Sequence, residues 1–218
     1  MKPLYLDLNL GLGDALICNG MVRYFAASGR LIIVPAWEHN LPTVRHMFSD
    51  LDNVSVVTAD GDKPGPHPAF EILSVGINRS GFGQVEPWDK QFYVFADLDI
   101  DVKWDLFHVP RSDSERPSYG PIVLMHEDVQ RGFEIDIQRC TFSETPTYMD
   151  FHPAAPLLTD WRNVIEFARE IHVIDSAPMH LCELMPTRGK LFYHKYARAQ
   201  GNRNHRDATF RKEWTVYE

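Results

Sequence analysis

Short apolar runs alternate with amphipathic segments along the first half of the chain. The apolar run Leu31–Val34 is typical of a buried parallel strand. Between about Ala15 and Ala27 the apolar positions recur at helical spacing, and Gly29 marks a helix end. Further strands are predicted over Leu4–Leu8, Val54–Thr58 and Phe70–Val75, and further helices over Leu41–Phe48 and 88–98. This order of strands and helices is that of a doubly wound α/β unit.

A similar order restarts after residues 109–121, VPRSDSERPSYGP. That stretch is polar and rich in proline, as linkers between domains are. The elements predicted beyond it are a strand over Ile122–His126, a helix over Asp160–Glu170, a strand over 171–174, a helix over 177–185 and a strand over 190–194. We therefore expect two small α/β halves, 1–110 and 120–218, with one continuous sheet as the alternative.

Composition is that of a soluble globular protein, with 44% apolar and 24% charged residues. The net charge is −8, but residues 186–218 hold eight Lys or Arg against three acids, a balance of +5 that leaves −13 elsewhere. The acidic remainder of the chain repels the phosphates of nucleic acids, so no nucleic-acid partner is expected. The basic end either binds a phosphate-bearing ligand or packs on the chain itself, and we favour the second.

Cysteine usage and the N-terminus both favour a cytoplasmic protein. The three cysteines, Cys18, Cys140 and Cys182, are odd in number and lie in apolar surroundings, which is typical of free thiols in a reducing compartment. The first residues contain acids and glycines where a signal peptide needs an apolar core, and no apolar run reaches the roughly 20 residues of a membrane span. Neither HxxxH nor CxxC spacing occurs, so no metal site is expected.

The first candidate site is the glycine-rich turn between the first strand and the first helix. Gly11 and Gly13 allow the backbone to approach a ligand closely, and the helix start favours an anion. A dinucleotide fingerprint needs another glycine three residues after Gly13, where Leu16 stands. Asp14 has two interpretations, a helix N-cap or a carboxylate that accepts a proton during a reaction.

The second candidate is IHVIDSAPMHLC, residues 171–182, which predicts a strand, a tight turn and a helix. Asp175 and Ser176 are residue types that cap helices, and Pro178 is tolerated in the first turn. The helix start presents backbone N–H groups to a phosphate. The expected contacts are the N–H groups of Ser176 and Ala177 and the Ser176 hydroxyl. His180 has two interpretations, a phosphate contact or a structural histidine of the helix.

The third candidate follows the strand Ile122–His126, in the loop that contains Arg131. Ligands of open α/β sheets bind beyond the carboxyl ends of strands, and a guanidinium can bridge two phosphate oxygens. The alternative is a solvated charged loop.

Two of these motifs resemble a known family. IHVIDSAPMHLC is similar to the VDSGPMHLA motif of bacterial heptosyltransferases, the ADP-heptose family, and Gly13–Asp14 matches the GD pair that opens their first helix. The resemblance implies a GT-B-like fold, with two Rossmann-like halves and a cleft between them. Residues 1–110 would be the acceptor side and 120–218 the nucleotide-sugar side.

The resemblance also implies a reaction, the transfer of a sugar from a nucleotide-diphosphate donor to an acceptor hydroxyl without a metal. Asp14 would be the catalytic base. The donor would be held by Gly11, Gly13, Arg131, Asp175, Ser176, Ala177 and His180. The nucleotide sugar is a co-substrate, no other cofactor is implied, and the acceptor is a glycan, a lipid-linked sugar or another hydroxyl. The alternative is a binding module of the same fold that takes a nucleotide sugar or another phosphate ligand and has no transfer activity.

Overall fold

The computed structural model describes residues 1–59, 69–76, 79–81, 87–118, 120–149, 157–199 and 208–218. The chain forms two compact units. The first spans Met1–Arg111 and also takes in Thr209, and the second begins at Ser112 and also takes in Phe210–Glu218.

The first unit is built on a four-stranded sheet in which every pairing is parallel. Its strands are β1 (Leu4–Asp7), β2 (Ile32–Ala36), β3 (Val54–Thr58) and β4 (Glu71–Ser74). The order β3-β2-β1-β4 is that of the first strands of a Rossmann fold. The strand order reverses between β1 and β4, and open α/β sheets bind ligands at such a switch point.

The described residues of this unit form five α-helices: α1 (Leu12–Ile17), α2 (Asn19–Ala26), α3 (Leu41–Met47), α4 (Lys90–Phe95) and α5 (Val102–Asp105). The single helix predicted from Ala15 to Ala27 is therefore wrong. The backbone leaves helical geometry at Cys18 (φ −84°, ψ 1°), which ends α1 and precedes α2. Gly20 lets α2 lie directly on α5, because a Cβ there would stand 2.2 Å from the Val102 carbonyl oxygen.

A buried ion pair attaches the C-terminal return of the chain to this unit. Lys103 Nζ lies 2.6 Å from Asp89 Oδ2, and both side chains are fully buried. Thr209 completes the group, since its backbone N–H and its hydroxyl donate to the Asp89 carboxylate and its carbonyl accepts from Lys103. The hydrogen bonds offset part of the cost of burying two charges.

The second unit holds a five-stranded parallel sheet. Its strands are β5 (Val123–His126), β6 (Thr147–Tyr148), β7 (Glu170–Val173), β8 (Lys190–His194) and β9 (Trp214–Tyr217), in the order β6-β5-β7-β8-β9. Its helices are α6 (Arg162–Phe167), α7 (Ala177–Leu184) and α8 (Tyr196–Ala199), with 3₁₀ turns at Val129–Arg131, Ile137–Arg139 and Leu158–Trp161. This is the 2-1-3-4-5 order of flavodoxin-like sheets, whose switch point here lies between β5 and β7.

The predicted helix Asp160–Glu170 is wrong at its C-terminal end. The backbone turns to an extended conformation at Ala168 (φ −59°, ψ 143°), and Glu170 already belongs to β7. The N–H groups of Arg169 and Glu170 donate to the Ile122 carbonyl, which starts the pairing of β7 with β5. Pairing across the sheet thus overrides the helical spacing of the local sequence.

The described part of the basic C-terminal segment packs on the chain itself, as the favoured interpretation of its charge predicts, and Arg203 and Arg206 lie outside the described residues. Lys212 Nζ donates to the carbonyl of Cys182 at 2.5 Å and also to that of Met185. The buried carboxylate of Glu183 accepts from the Arg211 N–H and from the Trp214 indole, each at 2.8 Å. These contacts hold β9 at the edge of the sheet.

The fold class predicted from the sequence is confirmed at the level of an α/β chain with two parallel sheets, and the single-sheet alternative is wrong. In the part of the chain that the structure describes, no helix has the length and apolar character needed to cross a membrane.

Candidate functional site

The switch point of the second sheet brings two polar side chains together. His126 is the last residue of β5, and Ser176 lies in the turn after β7. Ser176 Oγ is 3.4 Å from His126 Nδ1 and 3.1 Å from the Ile174 carbonyl oxygen, and both side chains are buried. The carbonyl can only accept, so it takes the single hydroxyl proton, and the hydroxyl oxygen accepts from Nδ1–H of the histidine.

Burial is the main cause that lowers the pKa of His126 to about 4. The Asp128 carboxylate opposes this effect, and the Arg131 guanidinium adds to it. The imidazole is therefore neutral at neutral pH, and with Nδ1 protonated its Nε2 carries a lone pair.

The turn into α7 differs in detail from the sequence prediction. Ser176 occupies the N-cap position with extended backbone (φ −164°, ψ 172°), but its hydroxyl makes no capping bond, because it is taken up by Ile174 and His126. Pro178 lies in the first turn as predicted. The carbonyl of Asp175 accepts a 2.5 Å hydrogen bond from Arg198 Nη1, which ties the turn to α8.

Ala177 and His180 occupy the first turn of α7, as predicted. Ala177 is the first residue of the helix, and His180 is buried with 4% of its surface exposed. The Met179 N–H donates to the Ser176 carbonyl at 3.0 Å. The Met179 N–H group at this helix start is therefore already bonded within the turn.

Arg131 closes the 3₁₀ turn that follows β5, and its guanidinium pairs with Asp128. Arg131 Nε donates to Asp128 Oδ2 at 2.5 Å, and the Arg131 N–H donates to the other carboxylate oxygen at 3.1 Å. Burial raises the pKa of Asp128, but the hydrogen bonds and charge of Arg131 more than offset this and hold it below its ordinary value. Part of the positive charge of Arg131 is thus neutralised within its own loop.

A cavity of about 580 Å³ lies beside this loop, lined by Arg131, Gly132, Phe133, Glu134, Tyr196 and Ala197. Two guanidiniums lie near the Phe133 ring, that of Arg131 5.6 Å and that of Arg198 5.4 Å from the ring centroid. Arg139 lies 4.0 Å from the Tyr196 ring centroid. Aromatic faces beside cations suit a planar ligand that carries negative charge.

Three residues of this cavity region, Phe133, Tyr196 and Arg198, were not among the sequence-predicted site residues. Phe133 reaches its place because a bridge between Asp128 and Phe133 folds the loop back on itself, with two backbone hydrogen bonds of 2.8 and 2.9 Å. Tyr196 and Arg198 follow the end of β8. A signal existed for all three, because each lies shortly after a predicted strand.

The first unit places its glycine-rich turn after β1. Gly11 is the N-cap of α1 (φ −67°, ψ 145°) and Asp14 is the third residue of the helix, so the N-cap interpretation of Asp14 is wrong. A Cβ on Gly11 would stand 2.8 Å from Asp14 Oδ2, so the carboxylate lies over the N-cap backbone. A carboxylate in the first turn is stabilised by the helix dipole.

The switch point of this first sheet also carries a carboxylate. Asp7 ends β1 beside Ser74, which ends β4, and the serine hydroxyl donates to Asp7 Oδ2 at 2.7 Å. Gly11, Gly13 and Asp14 thus belong to the first unit, while Arg131, Asp175, Ser176, Ala177 and His180 belong to the second.

No protein-family profile matches the chain, and no curated protein matches it. Solved structures do share its fold. One is described as the bacterial iron-containing dodecameric glycosyltransferase TibC from enterotoxigenic E. coli H10407, with 13% identity, a TM-score of 0.58, and coverage of 88% of this chain and 58% of TibC. Another is described as the dodecameric iron-containing heptosyltransferase TibC in complex with ADP-D-β-D-heptose, with 11% identity, a TM-score of 0.56, and coverage of 89% and 58%.

The chain thus spans about 58% of the length of these TibC chains. At 11–13% identity the likeness concerns the fold. Over most of its own length, this chain is similar in fold to a glycosyltransferase.

Proposed function

We propose that the chain binds a nucleotide-diphosphate sugar and transfers its sugar to an acceptor hydroxyl. The observation that carries the proposal is the cavity beside the loop that follows β5, where the rings of Phe133 and Tyr196 lie beside guanidiniums. The likeness in fold to TibC, one structure of which is described as a complex with ADP-D-β-D-heptose, supports a nucleotide sugar as the ligand class. A GT-B-like cleft, with the acceptor on the first unit and the donor on the second, is part of the proposal.

The donor binds on the second unit. Its base lies in the cavity beside Phe133 and Tyr196, and it stacks on the Phe133 ring when Arg131 turns from that ring to the diphosphate. Its diphosphate contacts the guanidiniums beside the cavity and the start of α7. At the helix start, we assign the contacts to the N–H groups of Ser176 and Ala177 and to the His180 side chain. Arg131 exchanges its bonds to Asp128 for bonds to phosphate oxygens when the donor arrives.

Asp175 holds the turn rather than the phosphate, because its own charge repels an anion. Its carbonyl already anchors Arg198. On the first unit, the Asp14 carboxylate lies over Gly11, where a Cβ would stand 2.8 Å from Oδ2. Gly11 and Gly13 are the donor contacts that we assign to this unit, because a backbone without side chains allows close approach.

The transfer that we propose assigns a role to each of these groups. The acceptor oxygen attacks the anomeric carbon while the bond from that carbon to the diphosphate oxygen breaks. The diphosphate leaves with the electron pair, and Asp14 takes the proton of the acceptor hydroxyl. Backbone N–H groups and guanidiniums stabilise the charge on the leaving group, so the step needs no metal.

The three free thiols favour a reducing, cytoplasmic setting.

Calorimetric titration with ADP-, UDP-, GDP- and CMP-sugars, with and without EDTA, tests donor binding. We expect selective, EDTA-insensitive binding of one donor. Phe133→Leu should weaken it about 5- to 150-fold, the range for loss of one stacked base. Phe167→Leu, a change of the same type on the exposed side of α6, is the matched control. Absence of binding to every donor by the folded protein would refute the proposal.

Transfer is tested by release of the nucleoside diphosphate in the presence of an acceptor panel. Asp14→Asn should lower turnover about 10²- to 10⁴-fold while donor affinity stays within a few-fold. Asp52→Asn, at an exposed aspartate of the same unit, is the control. Unchanged turnover in Asp14→Asn would exclude Asp14 as the base.

The second candidate function is a binding module without transfer activity. The specific observation in its favour is that the cavity lies wholly on the second unit, whereas Asp14 lies on the first. It predicts donor binding that depends on Phe133, no release of diphosphate with any acceptor, and no effect of Asp14→Asn.

A further inference from the structure

A cluster of metal-binding side chains lies on one face of the second sheet and adjoins the cavity, since the His194 and Tyr196 rings meet edge to face with their centroids 5.7 Å apart. It consists of Cys140, His172 and His194, which each offer one donor atom, and these atoms all lie within 4.8 Å of one another. Both histidines are fully buried, and Cys140 is partly buried. His172 Nδ1 and His194 Nε2 face each other at 3.0 Å.

The sheet register places these side chains together. His172 on β7 pairs with Phe192 on β8, and His194 follows two residues later. Because side chains alternate between the faces of a sheet, Phe192 and His194 point to the same side, and His172 lies beside them. Cys140 directly follows the 3₁₀ turn Ile137–Arg139, and Phe142 of the same loop contacts the His172 ring.

Hydrogen bonding alone leaves the two imidazoles incompletely satisfied. A neutral pair can share one N–H···N bond between the facing nitrogens. The outer nitrogens, His172 Nε2 and His194 Nδ1, are buried and have no hydrogen-bond partner among the residues that the structure describes. A buried polar nitrogen without a hydrogen-bond partner is costly in a native protein, so its presence needs an explanation.

A metal ion between the facing nitrogens changes this account for His172. Each ring then gives its inner lone pair to the ion and carries its proton on the outer nitrogen. For His172 that proton would sit on Nε2, which lies 3.8 Å from Glu170 Oε2. Glu170 is in turn fixed by the Ser143 N–H at 3.3 Å. A carboxylate behind a histidine ligand is the usual arrangement at protein metal sites.

The separations are close to those of a tetrahedral ion. Bonds of about 2.0–2.1 Å to nitrogen and 2.3 Å to sulfur put two nitrogens about 3.3 Å apart, and a nitrogen and a sulfur about 3.6 Å apart. The nitrogens of His172 and His194 are 3.0 Å apart, and no pair of donor atoms in the cluster exceeds 4.8 Å. Side-chain shifts of about 1 Å are enough to close the site.

Aromatic rings fix the orientation of both imidazoles. His172 stacks on Phe192 with 4.3 Å between ring centroids and meets the edge of Phe142 at 4.8 Å. His194 stacks on Tyr217, 4.7 Å away and nearly parallel. Ligands held this way lose little freedom when an ion binds.

We propose that Cys140, His172 and His194 bind one divalent transition-metal ion. Two imidazoles and a thiolate select zinc or a related first-row metal over magnesium and calcium, which prefer oxygen ligands. Three protein ligands leave a fourth position for water. Binding breaks the S–H bond of Cys140, whose sulfur lies 3.5 Å from the Asp136 carbonyl oxygen, and releases that proton to solvent as the metal–sulfur bond forms.

The experiment uses the full chain, stripped with a chelator and then titrated with Co²⁺, whose absorption reports its ligands, and with Zn²⁺ in competition with an indicator. We expect one ion per chain, visible bands of tetrahedral Co²⁺, a sulfur-to-cobalt band in the near ultraviolet, and release of about one proton per ion at a pH where the thiol is protonated.

Matched variants locate the ion. Cys140→Ser should remove the sulfur-to-cobalt band and weaken Zn²⁺ binding by more than about 100-fold, since changes behind the ligands alone cost 10- to 100-fold. Cys18→Ala, at a buried thiol of the first unit, should retain both. Glu170→Gln should keep the band and weaken binding about 10- to 100-fold. Circular dichroism checks that each variant is folded.

Two results would overturn the site. One is absence of stoichiometric Co²⁺ and Zn²⁺ binding by the folded wild-type chain. The other is binding that Cys140→Ser leaves unchanged in both affinity and spectrum, because the ion would then be held elsewhere.

Discussion

His126 should make the stability of the second unit dependent on pH between about 6.5 and 4. The pKa of its imidazole falls from 6.5 to about 4 on folding, mainly because the ring is buried. The folded state therefore disfavours the charged form. As the pH drops below 6.5 the unfolded chain takes up the proton first, so stability that is complete above pH 6.5 is lost toward pH 4.

The size of the effect follows from these two values. A pKa difference of about 2.5 corresponds to about 3.4 kcal/mol once the pH is below both values. At pH 5 the histidine is about 97% protonated in the unfolded chain and about 9% in the folded one, which gives a loss of about 2 kcal/mol. That is a large part of the 5–15 kcal/mol that holds a typical domain together.

His126→Asn isolates this contribution. The asparagine amide can take the position of Nδ1 and keep the bond to Ser176, but it does not titrate. Urea unfolding at pH 7.5 and pH 5, at constant ionic strength, should show that wild type loses about 2 kcal/mol more than the variant. His39→Asn, at an exposed histidine, should behave as wild type. Equal losses in wild type and His126→Asn would mean that His126 is solvated in the folded protein, which would refute the reasoning.

Three further predictions concern stability, each measured by urea unfolding. Lys103→Met should cost about 3–5 kcal/mol, because it leaves the Asp89 charge buried, and Asp89→Leu in the same chain should recover much of the loss; an unchanged midpoint in Lys103→Met would contradict this. Gly20→Ala should cost about 1–3 kcal/mol through its clash with the backbone of α5, whereas a neutral effect would mean that the helices can separate freely. Trp214→Phe should cost about 1–3 kcal/mol, because buried Glu183 loses the indole N–H, and a wild-type value would place water there.

The sequence predicts those elements whose apolar pattern is complete within the element. Val54–Thr58 is β3 with the predicted bounds, and the predicted helix 177–185 is α7 to within one residue. β9 was missed because Trp214–Tyr217 is a short edge strand, and its identity depends on pairing with β8 rather than on its own pattern. The break at Cys18 was missed because helical spacing continues across it.

The candidate site divides along similar lines. Ser176 and Arg131 could be placed at strand ends, because the carboxyl ends of parallel strands meet at one edge of a sheet. The position of Phe133 near two guanidiniums could not be predicted, because it depends on a loop bridge and on α8. Nor could the cluster of Cys140, His172 and His194, since its members are far apart in the chain and share no local motif. Only the pairing of β7 with β8 brings its histidines together.

Because Thr209 packs in the first unit, a cut after Arg111 does not divide the chain into two complete units. A fragment that ends at Arg111 lacks the N–H, hydroxyl and carbonyl that Thr209 supplies to Asp89 and Lys103. The complementary fragment carries Thr209 but lacks Asp89 and Lys103, to which Thr209 bonds. A protease cut between Arg111 and Ser112 should therefore leave two pieces that copurify, and the two halves, expressed separately, should behave as a complementing pair rather than as independent domains.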